Sequence, residues 1–481
     1  MSCDSEVIMP HAPFDRRYIW IACAMALGAG FAIAGHMSFV LGFSFAPGPG
    51  FVSFVQTHGH VQLVGWTGLL IMGISMHVMP RMAGVPLARP QWRSWILWLM
   101  TWGLGLRIAG HSLVAYVQPS PGAEIILGAV VGSGVLELLG IGLYIALMRR
   151  TIGGAPGGEL RPALQPILPY MRSMMVGWVL YAGLNLILLT AMAWQRQVAA
   201  PALWNDIAVR CFVGLVLLPV TFAFSVRFLP LYLRLAAPTW PVQRVACVYL
   251  LGWVVEIVVQ IPPVQALMPQ GSELLMHTGQ LVKAASILGF IWRLGVFTRG
   301  HLAWLGPASS RRQRAPRQAK KADQAFGAFE GLIVSAYIWL VVAAGSELWS
   351  SLMGLSGWRA GISHDAVRHL YLMGFVTLLI FGIGVRMVPG LMQVRRIASP
   401  GLVRVTLWLG NAAVIGRVIL VGLPGPLWQG IPGWAVQGAR IAFAWSGILG
   451  LAAVFCLALN LWQTAKLAPA EAASAPASAP E

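Results

Sequence analysis

Charge is scarce in this sequence. Only 10% of its 481 residues are Asp, Glu, Lys or Arg, while 58% are hydrophobic, so most of the chain cannot form the water-facing surface of a soluble domain. Acidic residues are the scarcer kind, 15 against 33 Lys and Arg, which leaves a formal net charge of +18. Cysteine is scarce too: Cys3, Cys23, Cys211, Cys247 and Cys456 are scattered, without CxxC or CxxCH spacing. That excludes a zinc ribbon and covalent c-type haem attachment, and leaves a disulfide framework without support. The first 17 residues hold Asp4, Glu6, Asp15, Arg16 and Arg17 and no small-residue cleavage pattern, so the apolar run from Tyr18 reads as a retained span and not as a secretion signal.

What is abundant is apolar sequence in lengths that suit a bilayer. At about 20 residues per crossing, twelve helices are expected, at 18–44, 59–80, 93–117, 122–148, 169–196, 207–232, 240–262, 273–297, 325–350, 364–390, 400–424 and 437–464. The chain therefore reads as an all-α, polytopic membrane protein in contact with lipid. With the N-terminus inside, the inner segments hold 22 Lys and Arg and the outer ones 4, namely Arg196, Arg359, Arg368 and Arg440. That imbalance places both termini in the cytoplasm. The basic run from Arg299 to Lys321 reads as a cytoplasmic linker held near anionic lipid, not as a nucleic-acid site. Ala468 to Glu481, rich in Ala, Pro, Ser and Glu, reads as a disordered tail.

Two stretches are copies of one unit. His60 to Pro80 and His369 to Pro389 agree without a gap at 9 of 21 positions, sharing His, two Gly, Pro, three Leu and two Ile. A weaker third copy runs from Arg210 to Pro230, whose closing VRFLP resembles VRMVP at Val385 to Pro389. Leu97-Trp98 with Arg107 recurs as Leu407-Trp408 with Arg417. The expected organisation is a cytoplasmic segment 1–17, four-helix repeats at 18–148, 169–297 and 325–464, a basic linker 298–324 and a tail 465–481.

On this topology seven of the ten histidines fall in the outer half: His36, His58, His60, His111, His277, His364 and His369. A membrane histidine is costly unless it faces the interior and finds a partner. Any one of them can simply cap a carbonyl or bridge two helices. His60 and His369 differ, because two copies of one helix bring imidazoles to one depth, as two axial haem ligands require. His58 and His60 cannot share one helix face. His58, His111, His277 and His364 are candidates, with His36, for a second metal, since imidazole suits copper and iron alike. Met76, Met79 and Met82 beside His77 read as packing before copper ligation. Of the buried charges, Arg107 is expected to pair with Glu137; haem propionates are the alternative partners for Arg107, Arg210 or Arg417. Lys283 has no evident partner in the sequence.

Twelve helices in three arcs, a cytoplasmic N-terminus and histidines at the outer ends of helices 2 and 10 resemble subunit I of the haem-copper oxidase superfamily. That resemblance implies that His60 and His369 hold a low-spin haem. Within the superfamily, the entry His58-Gly59-His60 looks like the NnrS family of haem- and copper-containing membrane proteins linked to nitric oxide and nitrosative stress. Departures accompany it: 207–232 and 240–262 lack the histidines that oxidases place on helices 6 and 7, and Asp365 to Arg368 separates His364 from His369 where a His-X-His pair is usual. A proton-pumping oxidase is disfavoured. The resemblance implies haem, with copper open as a second metal, a small ligand such as nitric oxide and a bacterial cytoplasmic membrane; turnover, scavenging or sensing, and oligomeric state, stay open. A colourless transporter and a haem-bearing electron-transfer or assembly subunit are the rival readings.

The charge asymmetry has a direct test. Fusions of a cytoplasm-active reporter after Thr151 and after Pro307 are expected to be active and one after Ser120 silent; the opposite pattern would invert the topology.

Overall fold

The computed structural model describes residues 13–154, 162, 164–269, 271–298, 323–358, 361–422 and 430–467. The linker and tail readings, like most of the N-terminal segment, lie outside the described residues.

Twelve long helices run through the described residues: α1 Arg17–Gly42, α2 Phe51–Ala83, α3 Trp92–Val117, α4 Gly122–Gly153, α5 Gln165–Trp194, α6 Ala202–Tyr232, α7 Val242–Val258, α8 Gly271–Leu294, α9 Phe329–Leu355, α10 His364–Leu391, α11 Pro400–Gly422 and α12 Gly433–Ala465. Among the described residues there is no strand. Ten of the twelve are long and apolar enough to cross a membrane. The other two are α3, diluted by Arg93, Arg107, His111 and four tryptophans, and α7, only 17 residues long. The chain is a multi-pass membrane protein.

The expected boundaries hold within a few residues except at α2, which opens at Phe51 and not at 59. Phe51 to Gln56 are mostly apolar and continue the helix backwards, so His58 and His60 lie two turns inside it. α7 stops at Val258, ahead of Pro262-Pro263, and a six-residue turn of helix, Pro262–Leu267, leads into α8. A proline removes the N–H that an interior helical residue must donate, so the pair cannot continue α7.

The copied stretches share an irregularity as well as residues. Directly after His60, α2 widens into π turns over Val61–Gly68, and directly after His369, α10 does so over Leu370–Thr377. α6 carries the same widening at Phe212–Leu217, two residues after Arg210, which stands where the histidines stand in the other copies. Pro80, Pro230 and Pro389 all lie inside the last turns of these helices. Such turns are rare in helices and concentrate at functional sites.

The chain divides into two compact units, one of residues 1–30 and 52–216, the other of 31–51 and 217–481. In the first, α3 lies along α4, and Val114, Leu127, Val130, Leu189 and Met192 from α3, α4 and α5 form a buried cluster. Gly110 permits the approach, since a Cβ there would lie 2.7 Å from Val130 Cγ2. In the second, α7 and α8 touch backbone to backbone. A Cβ on Gly252 would lie 2.6 Å from the Lys283 nitrogen, and one on Gly279 2.5 Å from the Glu256 nitrogen. Lipid supplies no hydrophobic drive between helices, so contact of this kind, which only small residues allow, is what holds them.

Gly252→Val is expected to destabilise the protein by about 1–3 kcal/mol through overpacking. Gly289→Ala, in α8 where nothing lies within 4 Å of the added carbon, should not. Equal thermal losses for the two would show that close approach does not hold α7 to α8.

Candidate functional site

The first unit gathers five polar side chains in its interior. His60 of α2 is 4% exposed, and both of its ring nitrogens are engaged: Nδ1 lies 2.8 Å from the Tyr181 hydroxyl of α5, and Nε2 2.8 Å from Glu137 Oε2 of α4. With Nε2–H donating to the carboxylate, Nδ1 accepts from Tyr181. The Tyr181 ring is set by Phe212, at 4.8 Å between centroids, and Phe212 in turn by Trp178. Gly103 of α3 receives the stem of Glu137, for a Cβ there would lie 2.8 Å from Glu137 Cγ.

One turn along α3 from Gly103 stands Arg107, and one turn further His111, on the same face. Both are buried. Nε and Nη1 of Arg107 have no hydrogen-bond partner, and neither ring nitrogen of His111 makes a well-formed bond, although the backbone at Val198 is within its electrostatic reach. The expected Arg107–Glu137 ion pair is thus corrected: the carboxylate of Glu137 goes to His60. Burying a guanidinium with idle donors is expensive, which marks this place as more than packing.

The second unit treats His369 differently. Its Nδ1 lies 2.8 Å from the carbonyl oxygen and 3.4 Å from Oδ1 of Asp365, four residues back on α10, and among the described residues no hydrogen bond engages Nε2. Asp365 Oδ2 accepts from Arg417 Nη2 of α11 at 2.6 Å, and Arg417 also lies over the Phe443 ring of α12, 4.8 Å from its centroid. Nη1 of Arg417 has no partner. Ser363 caps the start of α10 by accepting from the Ala366 amide.

The remaining sequence candidates scatter. His58 turns to the Gly30 carbonyl of α1, at 2.8 Å. His36 and His364 are exposed, and His277 of α8 packs on Gly354 of α9. Arg210 pairs with Asp206, one turn back on α6, at 2.7 Å. Among the described residues no three His, Cys, Asp or Glu stand close enough to hold a metal ion. The second-metal candidates His36, His58, His111, His277 and His364 lie on five helices, α1, α2, α3, α8 and α10. Lys283 is corrected as well. It has two partners, Glu256 of α7 and Glu347 of α9. The GxxxE of Gly252 to Glu256 and the GxxxK of Gly279 to Lys283 are the sequence signal for this pairing, since each glycine brings the charge one turn later to the contact.

No family model matches the sequence, and no curated protein matches it. Solved structures do. A chain from a heme-copper terminal oxidase dimer, determined by cryo-EM, superposes with a TM-score of 0.60 over 94% of this chain and 83% of that one, at 13% identity. The fold is haem-copper oxidase-like. Identity this low carries the fold alone and not the chemistry of the site.

The geometry predicts a coupled His60 and Glu137 and an Arg107 whose Nε and Nη1 donors are left without hydrogen bonds. A double-mutant cycle of His60→Ala and Glu137→Ala should give a coupling of about 0.5–3 kcal/mol. Arg107→Met in the ligand-free protein should leave the thermal midpoint unchanged or raise it. A large loss on Arg107→Met would reveal a partner for the guanidinium.

Proposed function

We propose that the chain is a haem-bearing protein of NnrS type in a bacterial cytoplasmic membrane, with both termini inside, acting in the metabolism of nitric oxide or a related species. The observation that carries the proposal is the matched pair His60 and His369, each directly ahead of the π turns in two copies of one helix. An imidazole serves iron best when one nitrogen is fixed by a hydrogen bond and the other is bare. His369 meets that description, with Nδ1 on the Asp365 carbonyl and Nε2 free. His60 meets it once Glu137 lets go of Nε2, while Tyr181 continues to fix Nδ1. Arg107 then has a use for Glu137 or for a propionate, since its idle Nε and Nη1 donors suit either carboxylate. Arg417, with Nη1 idle, is the second propionate candidate; Arg210, tied to Asp206, is a weaker third.

Haem held by two imidazoles would supply an iron that exchanges electrons, and it would take a diatomic ligand only where one imidazole lets go. The chain's own residues fix the ligand rings, balance acidic groups and exclude water. The NnrS assignment rests on His58-Gly59-His60 and its setting. Among the described residues no group of three or more His, Cys, Asp or Glu is placed to hold a metal ion, so the proposal names haem alone. A second reading, a haem-free carrier, is favoured by the buried ions around Lys283.

His60→Ala and His369→Ala should each abolish or grossly change the haem absorption spectrum while the protein still inserts. His77→Ala, in the last turns of α2, should leave it unchanged. A colourless wild type purified from haem-replete cells, or a spectrum indifferent to both substitutions, would overturn the ligand assignment and put the carrier ahead.

A further inference from the structure

Two carboxylates and one ammonium meet inside the second unit. Lys283 of α8 bonds to Glu256 of α7, and its Nζ lies 2.9 Å from Glu347 Oε1 of α9. The Tyr371 hydroxyl of α10 donates to Glu347 Oε2 at 2.9 Å. Gln280 Nε2 donates to Glu256 Oε1 at 3.3 Å, and Ser351 Oγ to Gln280 Oε1 at 3.4 Å. Tyr249 of α7 is a further hydroxyl within electrostatic reach of Tyr371. Lys283, Glu256 and Tyr371 are buried, and the Glu347 side chain is only 12% exposed. Four helices converge on this place, and the Gly252 and Gly279 approach brings Glu256 and Lys283 together.

The arrangement pairs each carboxylate with the same ammonium, and two like charges so placed share a proton more readily than they stay ionised together. A charge without a counter-charge is costly in a bundle that lipid surrounds. A proton on either carboxyl balances the cluster without moving a heavy atom, because Lys283 already bridges both and Tyr371 already bonds to one.

We propose that Glu256, Lys283, Glu347 and Tyr371 form a proton-exchange site, taking up and releasing a single proton within the membrane-spanning bundle. Uptake forms one O–H bond on a Glu256 or Glu347 oxygen, and release breaks it; nothing is oxidised or reduced. The site stands whether or not the chain carries haem, so it fails or holds apart from the function proposed above.

Infrared difference spectra of the full-length protein in lipid nanodiscs, between acid and alkaline buffer, test it. A carbonyl stretch of a protonated carboxyl should be present in acid, lost in alkali and shifted in D2O. Glu256→Gln and Glu347→Gln should each remove it, Tyr371→Phe should keep it at a shifted frequency, and Lys283→Met should enlarge it. Labelling the glutamate carboxyls with 13C in the wild type should move the band without any substitution. The proposal is overturned by the absence of such a band at every pH where the protein stays folded, by a band that 13C labelling leaves unmoved, or by one that survives with both glutamines in place. A band that follows sodium concentration at fixed pH would instead mark a metal-cation site and overturn it equally.

Discussion

A charged side chain in the middle of a bundle surrounded by lipid must be met by another side chain, and that requirement decides which helices of this protein come closest. Lys283 is met from both sides by Glu256 and Glu347. Arg417 is met by Asp365 and by the face of Phe443. His60 is met by Glu137 and Tyr181. In two of these places glycine makes the meeting possible, Gly252 with Gly279 beside Lys283 and Gly103 beside Glu137, because a Cβ at any of them would collide with the neighbouring helix. The polar interior and the glycine contacts are one device.

Arg107 is met only in part: Glu137 is within its electrostatic reach, but Nε and Nη1 make no hydrogen bond. Its neighbours His60, Glu137 and Tyr181 satisfy one another and leave the guanidinium donors idle. A buried cation with idle donors is a strain reservoir or the place for a group that is not part of the chain. The second explanation agrees with the contrast between the two matched histidines. His369 has one ring nitrogen engaged, Nδ1, whereas both ring nitrogens of His60 are engaged, Nε2 by Glu137.

The π turns after His60 and His369 connect the repeat to its chemistry. A turn of this width changes the direction in which the following side chains leave the helix, so a residue at its start is aimed differently from its neighbours. Both histidines occupy this position, and α6 has the widening with Arg210 in place of a histidine; α1 widens as well, at Ala26–Gly30, so the turn is shared more broadly than the histidine.

Much of the architecture was legible in the sequence by itself. Span length is set by bilayer thickness, and a run of apolar residues is read without knowing its neighbours, so twelve helices, the ends of most of them and the kinship of His60–Pro80 with His369–Pro389 follow from local pattern alone. The early start of α2 was hidden because Ser53, Gln56 and Thr57 look like a polar approach, yet Gln56 and Thr57 are buried and Gln56 bonds in both directions to Ala200. Partner choice left little trace in the sequence beyond the glycines one turn ahead of Glu256 and Lys283. Glu137 lies at a depth that suits Arg107 equally well, and Lys283 looked solitary, because rotation of a helix about its own axis decides which face meets which neighbour, and that rotation is set by the packing of all of them together. Residue type and depth are properties of the sequence; who touches whom was decided only by the tertiary structure.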